Sequence, residues 1–230
     1  MPIKKHDFVE LEFTGRLKDG PVFDTTSEKI ARENNAFDAK MEYKPAIIAV
    51  GENQVPPGLD EFLEGKELNK EYTVELKPEQ AFGKKDAKKI KLIPLSAFKK
   101  QDIMPQPRLQ VNIDNELGTI LRVSGGRVLV DFNHPFSGQE ITYIVKPLKI
   151  ITDTKEKIEA FLKMGFNIPN TKVEVKENKA TITMPVDFPP PVLEAFKKKL
   201  VELTQVKEIE FKKAEIKKPA PKKETTSQKQ

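Results

Sequence analysis

The stretch "VPPGLDEFLEGKE", which starts at Val55, constrains this chain more than any other. Two consecutive prolines fix φ and remove two backbone donors, so the segment neither continues a strand nor sits inside a helix. Proline is accommodated in a helix's first turn, which makes Pro57 the start of a short helix predicted over about 55–64. The helical repeat then puts Leu59, Phe62 and Leu63 on one side. The chain therefore stiffens the start of a very short helix and presents its apolar side to whatever covers it.

The flanking sequence supplies strands. "FVELEFTGRL" sets Phe8, Leu11 and Phe13 against Glu10, Glu12 and Thr14 with one slip in the alternation, and "EYTVELKP" alternates strictly through Tyr72, Val74 and Leu76. "AIIAVG" reads as a further strand, Asp19-Gly20 as a turn, and a helix is expected at about 27–34 capped by Ser27. From Gly83 the pattern becomes short strand-like runs separated by turns at Asn115-Glu116, Gly118 and Gly125-Gly126. "HPFSGQEITYIVKPLKI" then returns to a single strand. An all-β unit inserted between two strands of a first domain produces this order. After Ile151 the pattern is α-β-β-α-β, that of a small α+β domain. Its first helix carries Ile158, Phe161 and Leu162 on one face and is predicted to end at Gly165; its second aligns Leu193, Phe196, Leu200 and Leu203. The expected organisation is residues 1–84 with 129–151, an insert at 85–128, a C-terminal domain at 152–216, and a tail at 217–230 too poor in large apolar residues to fold.

Composition excludes several classes of chemistry. The 230 residues contain no cysteine, which removes disulfides, thiol catalysis and cysteine metal sites. His6 and His134 are the only imidazoles and lie far apart, so no metal centre and no cofactor is expected. Phosphate-binding, dinucleotide-binding, metalloprotease and serine-hydrolase motifs are absent. Carboxylate pairs such as Asp60/Glu61 and Glu208/Glu210 read as solvated faces. No run approaches the roughly 20 apolar residues of a bilayer span, and the charged start has no apolar signal core, so a soluble cytoplasmic protein is expected. The net charge of +5 arises after residue 151, where 17 Lys+Arg face 12 Asp+Glu, while 23 face 23 before it. A lysine-rich tail of this kind reads as a solvated end rather than an arm for nucleic acid.

Three blocks, "FTGRLKDGPVFDTT", "GENQVPPGLDEFLEGKELNKEYTVELKPEQAFG" and "DFNHPFSGQEITYIVKPLKI", occur in the order found in the FKBP-type prolyl isomerases, and residues 1–151 resemble that family. The insert between Phe82-Gly83 and "NHPFSG" resembles the SlyD-like branch, in which a chaperone domain occupies the flap. The C-terminal domain resembles the extra domain of long archaeal members. The resemblance implies a curved antiparallel sheet over a short helix, with Pro56, Pro57 and Gly58 bending the chain beneath the sheet and Leu59 forming the floor of an apolar cleft. Phe13 takes the place of a family tyrosine, Phe23 and Asp24 match a Phe-Asp pair, and Val55 and Pro56 line the mouth. Phe82 matches the tyrosine of "AYG", Tyr143 an aromatic of the last strand, and Phe136 hangs over the rim.

The activity that the resemblance implies is cis–trans isomerisation of X–Pro bonds. Rotation about the planar amide costs roughly 20 kcal/mol because resonance must be broken. A dry aromatic cleft favours the less polar twisted amide, and no nucleophile or proton transfer is required. Phe13 and Phe82 lack family hydroxyls, Pro56 lacks a backbone donor, and Ala46 stands where many members have a large aromatic; weak activity is the expectation. The insert's Ile90, Leu92, Ile93, Leu95, Phe98, Ile103 and Met104 form either its own small core or a partly exposed patch that captures unfolded chains. The expected partners are unfolded or proline-containing polypeptides. Alternatives are a non-catalytic holdase, an RNA- or ribosome-associated protein acting through the C-terminal domain and tail, and a homodimer formed through the C-terminal domain.

Overall fold

The computed structural model describes residues 2–166, 171–185 and 188–213; the tail expected at 217–230 lies outside the described residues. The architecture is α+β, built from three sheets and few helices. The first sheet contains β1 (Phe8–Leu17), β2 (Val22–Thr25), β3 (Ala46–Ala49), β4 (Tyr72–Leu76) and β9 (Ile141–Ile151), with order β2-β1-β9-β4. On its other edge β1 pairs antiparallel with β3 through Phe8–Leu11 and with β2 through Thr14–Arg16, leaving Glu12 and Phe13 between them. Register shifts at Glu10/Leu11 and Gly15/Arg16 increase the local twist and bend the sheet.

Helix α1 (Glu28–Glu33) is capped by Ser27, whose Oγ accepts from the Ile30 amide. Helix α2 (Pro57–Leu63) buries Leu59 and Leu63 against Val9, Leu11, Ile48, Leu76 and Tyr143 on the concave face of the sheet. Gly58 is required by close approach rather than by φ: a Cβ there would lie 2.7 Å from the Cβ of Gln80 and 2.8 Å from Leu76 Cδ2. The proline pair thus aims a glycine at the chain that follows β4. Asp60, read from sequence as part of a solvated face, is buried. Its two carboxylate oxygens accept from the amides of Gly51 and Asn53, both at 2.8 Å, and tie the loop before α2 to the helix itself.

Between β4 and β9, which pair with each other, lies a four-stranded antiparallel sheet of order β5-β8-β7-β6: β5 (Ile90–Pro94), β6 (Gln110–Ile113), β7 (Glu116–Ser124) and β8 (Arg127–Asp131). Two expectations are corrected here. The unit is not all-β, because α3 (Leu95–Lys99) packs Phe98 onto the sheet. The turn joining β6 to β7 is also one residue earlier than read, since Asp114 and Asn115 carry the positive φ angles of 53° and 65°.

After β9 come α4 (Thr154–Phe166), β10 (Lys172–Lys176), β11 (Lys179–Met184), α5 (Pro190–Thr204) and β12 (Glu208–Lys213); the three strands form a sheet of order β10-β11-β12 in which β11 and β12 are parallel. Helix α4 continues through Gly165 to Phe166, and Gly165 is outside the left-handed region. Phe8, Ala49 and Ile151 on the outer face of the first sheet join Ile158, Phe161, Leu162 and Leu200 in one buried cluster. That second buried face accounts for the slip in the alternation of β1: Phe8 and Val9 are both buried, on opposite sides.

Candidate isomerase cleft

The concave face of the first sheet gathers aromatic rings from β1, β2, β9 and the segments that flank the insert. Phe23 of β2 lies 6.0 Å from Tyr143 of β9, 6.0 Å from Phe82 and 4.4 Å from Phe136, centroid to centroid. Phe13 of β1 approaches Tyr143 edge-on at 6.1 Å, and Phe136 stands 5.5 Å from Phe82. These offset and edge-to-face contacts are the arrangements that aromatic quadrupoles favour. The cluster needs Gly15: opposite Tyr143 in the ladder, a Cβ would sit 2.7 Å from the Tyr143 ring and 2.9 Å from Phe23. The glycine of "FTG" is a second requirement for close packing that spacing alone did not reveal.

Phe13, Phe23, Val55, Phe82 and Phe136 are half-buried and pack on the cluster of this face; Asp24 and Pro56, the chain neighbours of Phe23 and Val55, are half-buried as well. Two residues assigned to the cleft surface lie beneath it. Leu59 has no exposed surface and Tyr143 retains 2%, so both support the cleft from below; Leu59 is fully enclosed because the sheet closes over the first turn of α2. Pro56 caps α2 through its carbonyl, which accepts from the amides of Leu59 (2.8 Å) and Asp60 (3.0 Å). A cavity beside the cluster is lined by Phe13, Asp24 and Ala46, with Val55 outside its lining.

Burial shifts each titratable group of the site. Burial pushes the Tyr143 phenol well above its ordinary range, and the nearby Asp24 carboxylate pushes it further, so it stays protonated. Burial likewise raises Asp24, against an opposing hydrogen bond from the Thr25 amide. His134 presents an exposed edge, but one face stacks on Phe82 at 4.3 Å and 4°, and that burial lowers its pKa. The Phe136 amide donates to His134 Nδ1 at 3.2 Å, which requires the neutral ring.

The His134 contact has a signed pH dependence. A depressed imidazole pKa favours the neutral ring in the folded state. Its contribution is therefore present above the ordinary value of 6.5 and is lost as pH falls through the lower folded value. The Phe136 amide resonance should titrate with a midpoint below 6.5; a midpoint at or above 6.5 contradicts the assignment.

Of the residues expected to bind unfolded chains, Leu92 and Met104 are exposed, Met104 to 79%, and Ile90, Ile93 and Leu95 are half-buried. Phe98 is 2% exposed and is corrected from contact residue to core: α3 places its ring against Val111, Ile120, Val128 and Val130. Sequence reading missed Leu109, Leu117 and Leu121, all exposed. Leu121 occupies an irregularity in the β7–β8 ladder that periodicity does not announce. Among the described residues no helix is long and apolar enough to cross a membrane, and no group of three or more His, Asp or Glu side chains could hold a metal ion.

A cluster of aromatic rings on a bent antiparallel sheet, with a short helix packed under it, fits a peptidyl-prolyl cis–trans isomerase. Comparison with known proteins reaches the same class. Residues 1–99 match the family model of the FKBP-type peptidyl-prolyl cis-trans isomerases, and residues 91–136 match that of the FKBP26 IF domain. A short-type peptidyl-prolyl cis-trans isomerase of Methanocaldococcus jannaschii is 33% identical over 144 residues, 63% of this chain and 91% of the relative. The FKBP-type isomerase SlyD of Vibrio cholerae is 27% identical over 162 residues, covering 69% of this chain and 73% of that protein. An FKBP-type 16 kDa isomerase of Escherichia coli K12 is 27% identical over 157 residues, 64% of this chain and 93% of the relative. The chain belongs to the FKBP-type peptidyl-prolyl cis-trans isomerases, in their SlyD-like branch.

Proposed function

We propose that this isomerase is also a folding chaperone, with the two activities divided between its sheets. Residues of the first sheet and α2 form the isomerase domain. Residues from about 85 to 131 form a domain inserted in its flap that captures unfolded chains, and the region from 152 onward forms a third domain. The observation that carries the capture role is the apolar surface of the inserted unit: Leu92, Met104, Leu109, Leu117 and Leu121 are all exposed within a short segment. Its charge supports the same reading. Residues 84–131 carry ten Lys+Arg against five Asp+Glu, a surplus hidden by the neutrality of residues 1–151 as a whole.

In the cleft, Phe13, Phe23, Phe82 and Phe136 line the surface on which an X–Pro segment lies, while Asp24, Val55 and Pro56 hold its flanks. Leu59 and Tyr143 support that surface. Binding the twisted amide more tightly than the planar one is sufficient for rate enhancement, since only interactions stronger in the transition state lower the barrier. The lost resonance weakens the dipole of the twisted amide, and aromatic walls cost it less solvation than they cost the planar form. Activity on short peptides is low because Phe13, Pro56 and Phe82 offer no donor to the substrate carbonyls. Clients are unfolded or proline-containing polypeptides, and the protein works in the cytoplasm. Refolding of a protein limited by X–Pro isomerisation should accelerate at micromolar amounts of the chain; an unchanged rate would leave only a holdase.

A further inference from the structure

The first helix after the sheet, α4, does not stand clear of the isomerase. It packs along β3, and Met164 joins the apolar cluster beneath the cleft. On the opposite side of the interface, Lys199 of α5 reaches Glu52 at 2.8 Å, in the loop that leads to Val55. Helix α4 is therefore fixed against the isomerase at the core of the interface, and α5 at its edge. A cavity of about 380 Å³ opens between α4 and the isomerase. Its apolar walls are Phe13, Ala46 and Ile47 from the sheet and Ala160 and Met164 from α4. The small side chain of Ala46 leaves the space open on the isomerase side, and the gap in the edge of β1 between β2 and β3 exposes Phe13 to it.

The charges around this groove are unbalanced. Asp24, Glu42, Glu156 and Glu159 face Lys44 and Lys163. Both lysines bind Glu42, at 2.8 and 3.1 Å, and hold its carboxyl below the ordinary range. Among the described residues the ion partner of Glu159 is the distant Lys155, at 3.9 Å. Asp24, Glu156 and Glu159 are left to attract a cation at the end of an apolar trough. That combination fits one kind of side chain: an aliphatic stem that lies on Ile47, Ala160 and Met164 and ends in a positive charge.

We infer that the groove between β3 and α4 is a specificity subsite that takes a lysine or arginine one or two residues from the substrate proline. The short reach follows from Phe13 and Asp24, which belong to both the groove and the cleft, and from the limit of about 3.5 Å per extended residue. The inference rests on the cleft being where the X–Pro bond binds. It makes the C-terminal domain a contributor to the isomerase site, a role that no reading of 152–216 as a separate module provides.

The test uses the full chain and proline peptides with lysine, arginine, leucine or glutamate at each of the two positions before and after the proline. Exchange rates measured by NMR need no coupled protease. At an ionic strength of about 20 mM, kcat/KM for the lysine and arginine peptides should exceed that for the glutamate peptide by roughly two- to fivefold at one or more positions, the upper part of the range for exposed ion pairs. The preference should vanish at about 0.5 M salt and in the Glu156→Gln/Glu159→Gln variant, with the leucine peptide unchanged. Absence of a cationic preference, or a preference that survives the double substitution, overturns the subsite. The leucine peptide reports isomerisation itself. Normal turnover of it without a lysine preference sinks the subsite alone, whereas no turnover of any peptide sinks the cleft and the subsite with it.

Discussion

Returning three hydrogen-bond donors to the cleft, as Phe13→Tyr, Pro56→Ile and Phe82→Tyr together, should raise kcat/KM on short proline peptides by roughly tenfold to a thousandfold. Each net hydrogen bond is worth about 0.5–1.5 kcal/mol, and three acting in the transition state sum to about 1.5–4.5 kcal/mol. The substitution at 56 matters most for mechanism, because it restores a backbone N–H where proline has none. The carbonyl of residue 56 already caps α2 through Leu59 and Asp60, so the start of the helix does not depend on the proline ring for that bond. Phe13 and Phe82 gain only a hydroxyl on rings that are half-buried. Peptide exchange measured by NMR on the single, double and triple variants should show stepwise gains. A triple variant within about twofold of the natural chain would mean that donors at these positions do not face the rotating bond.

Removal of the inserted unit should have the other large effect, and it should fall on one substrate class. The four-stranded sheet runs to Asp131, and its neck is held by Lys85 to Asp131 (3.2 Å) and by the Asp86 amide to Asn133 Oδ1 (2.9 Å). Excision of 86–132 with a short turn in its place keeps the Gly138 amide on the Gly83 carbonyl and Ser137 Oγ on the Phe82 carbonyl, so the rim around Phe136 retains its anchors. Acceleration of proline-limited protein refolding should drop roughly 100-fold, the scale on which tethering to a second binding surface raises effective concentration. The rate on short peptides should remain within about twofold, because they occupy only the cleft. Equal loss of both activities in a variant that keeps its circular dichroism would contradict the division of labour. Loss of refolding activity alone supports it.

Much of this architecture is legible in the sequence where a local rule acts alone. Ser27 announces α1 because the cap is a bond between neighbours, and Pro57 announces α2 because proline fits only a first turn. The misses arise where a residue answers to something distant. Asp60 looks like a surface carboxylate until the loop at Gly51–Asn53 folds back on it. Gly165 looks like a helix stop, yet α4 is held by packing on β3 and passes through it. Phe98 and Leu92 are equally apolar in sequence, and only the side of the sheet covered by α3 separates core from surface. The cleft residues are named by motif, but which of them touch a substrate depends on burial. Tyr143 lies underneath for a reason no spacing encodes: Gly15 lets the Phe23 ring close against it, while the sheet over α2 encloses Leu59.

The cleft is held to work by shape and apolarity, with no proton in flight. The most direct measurement is kcat/KM on a proline peptide in H2O and in D2O, across about pH 7 to 9, where His134 is neutral and Tyr143 protonated. A ratio of about one and a flat profile are expected. A solvent isotope effect of about two or more, or a rate that tracks the titration of a cleft residue, would show a reacting group at work and contradict the mechanism.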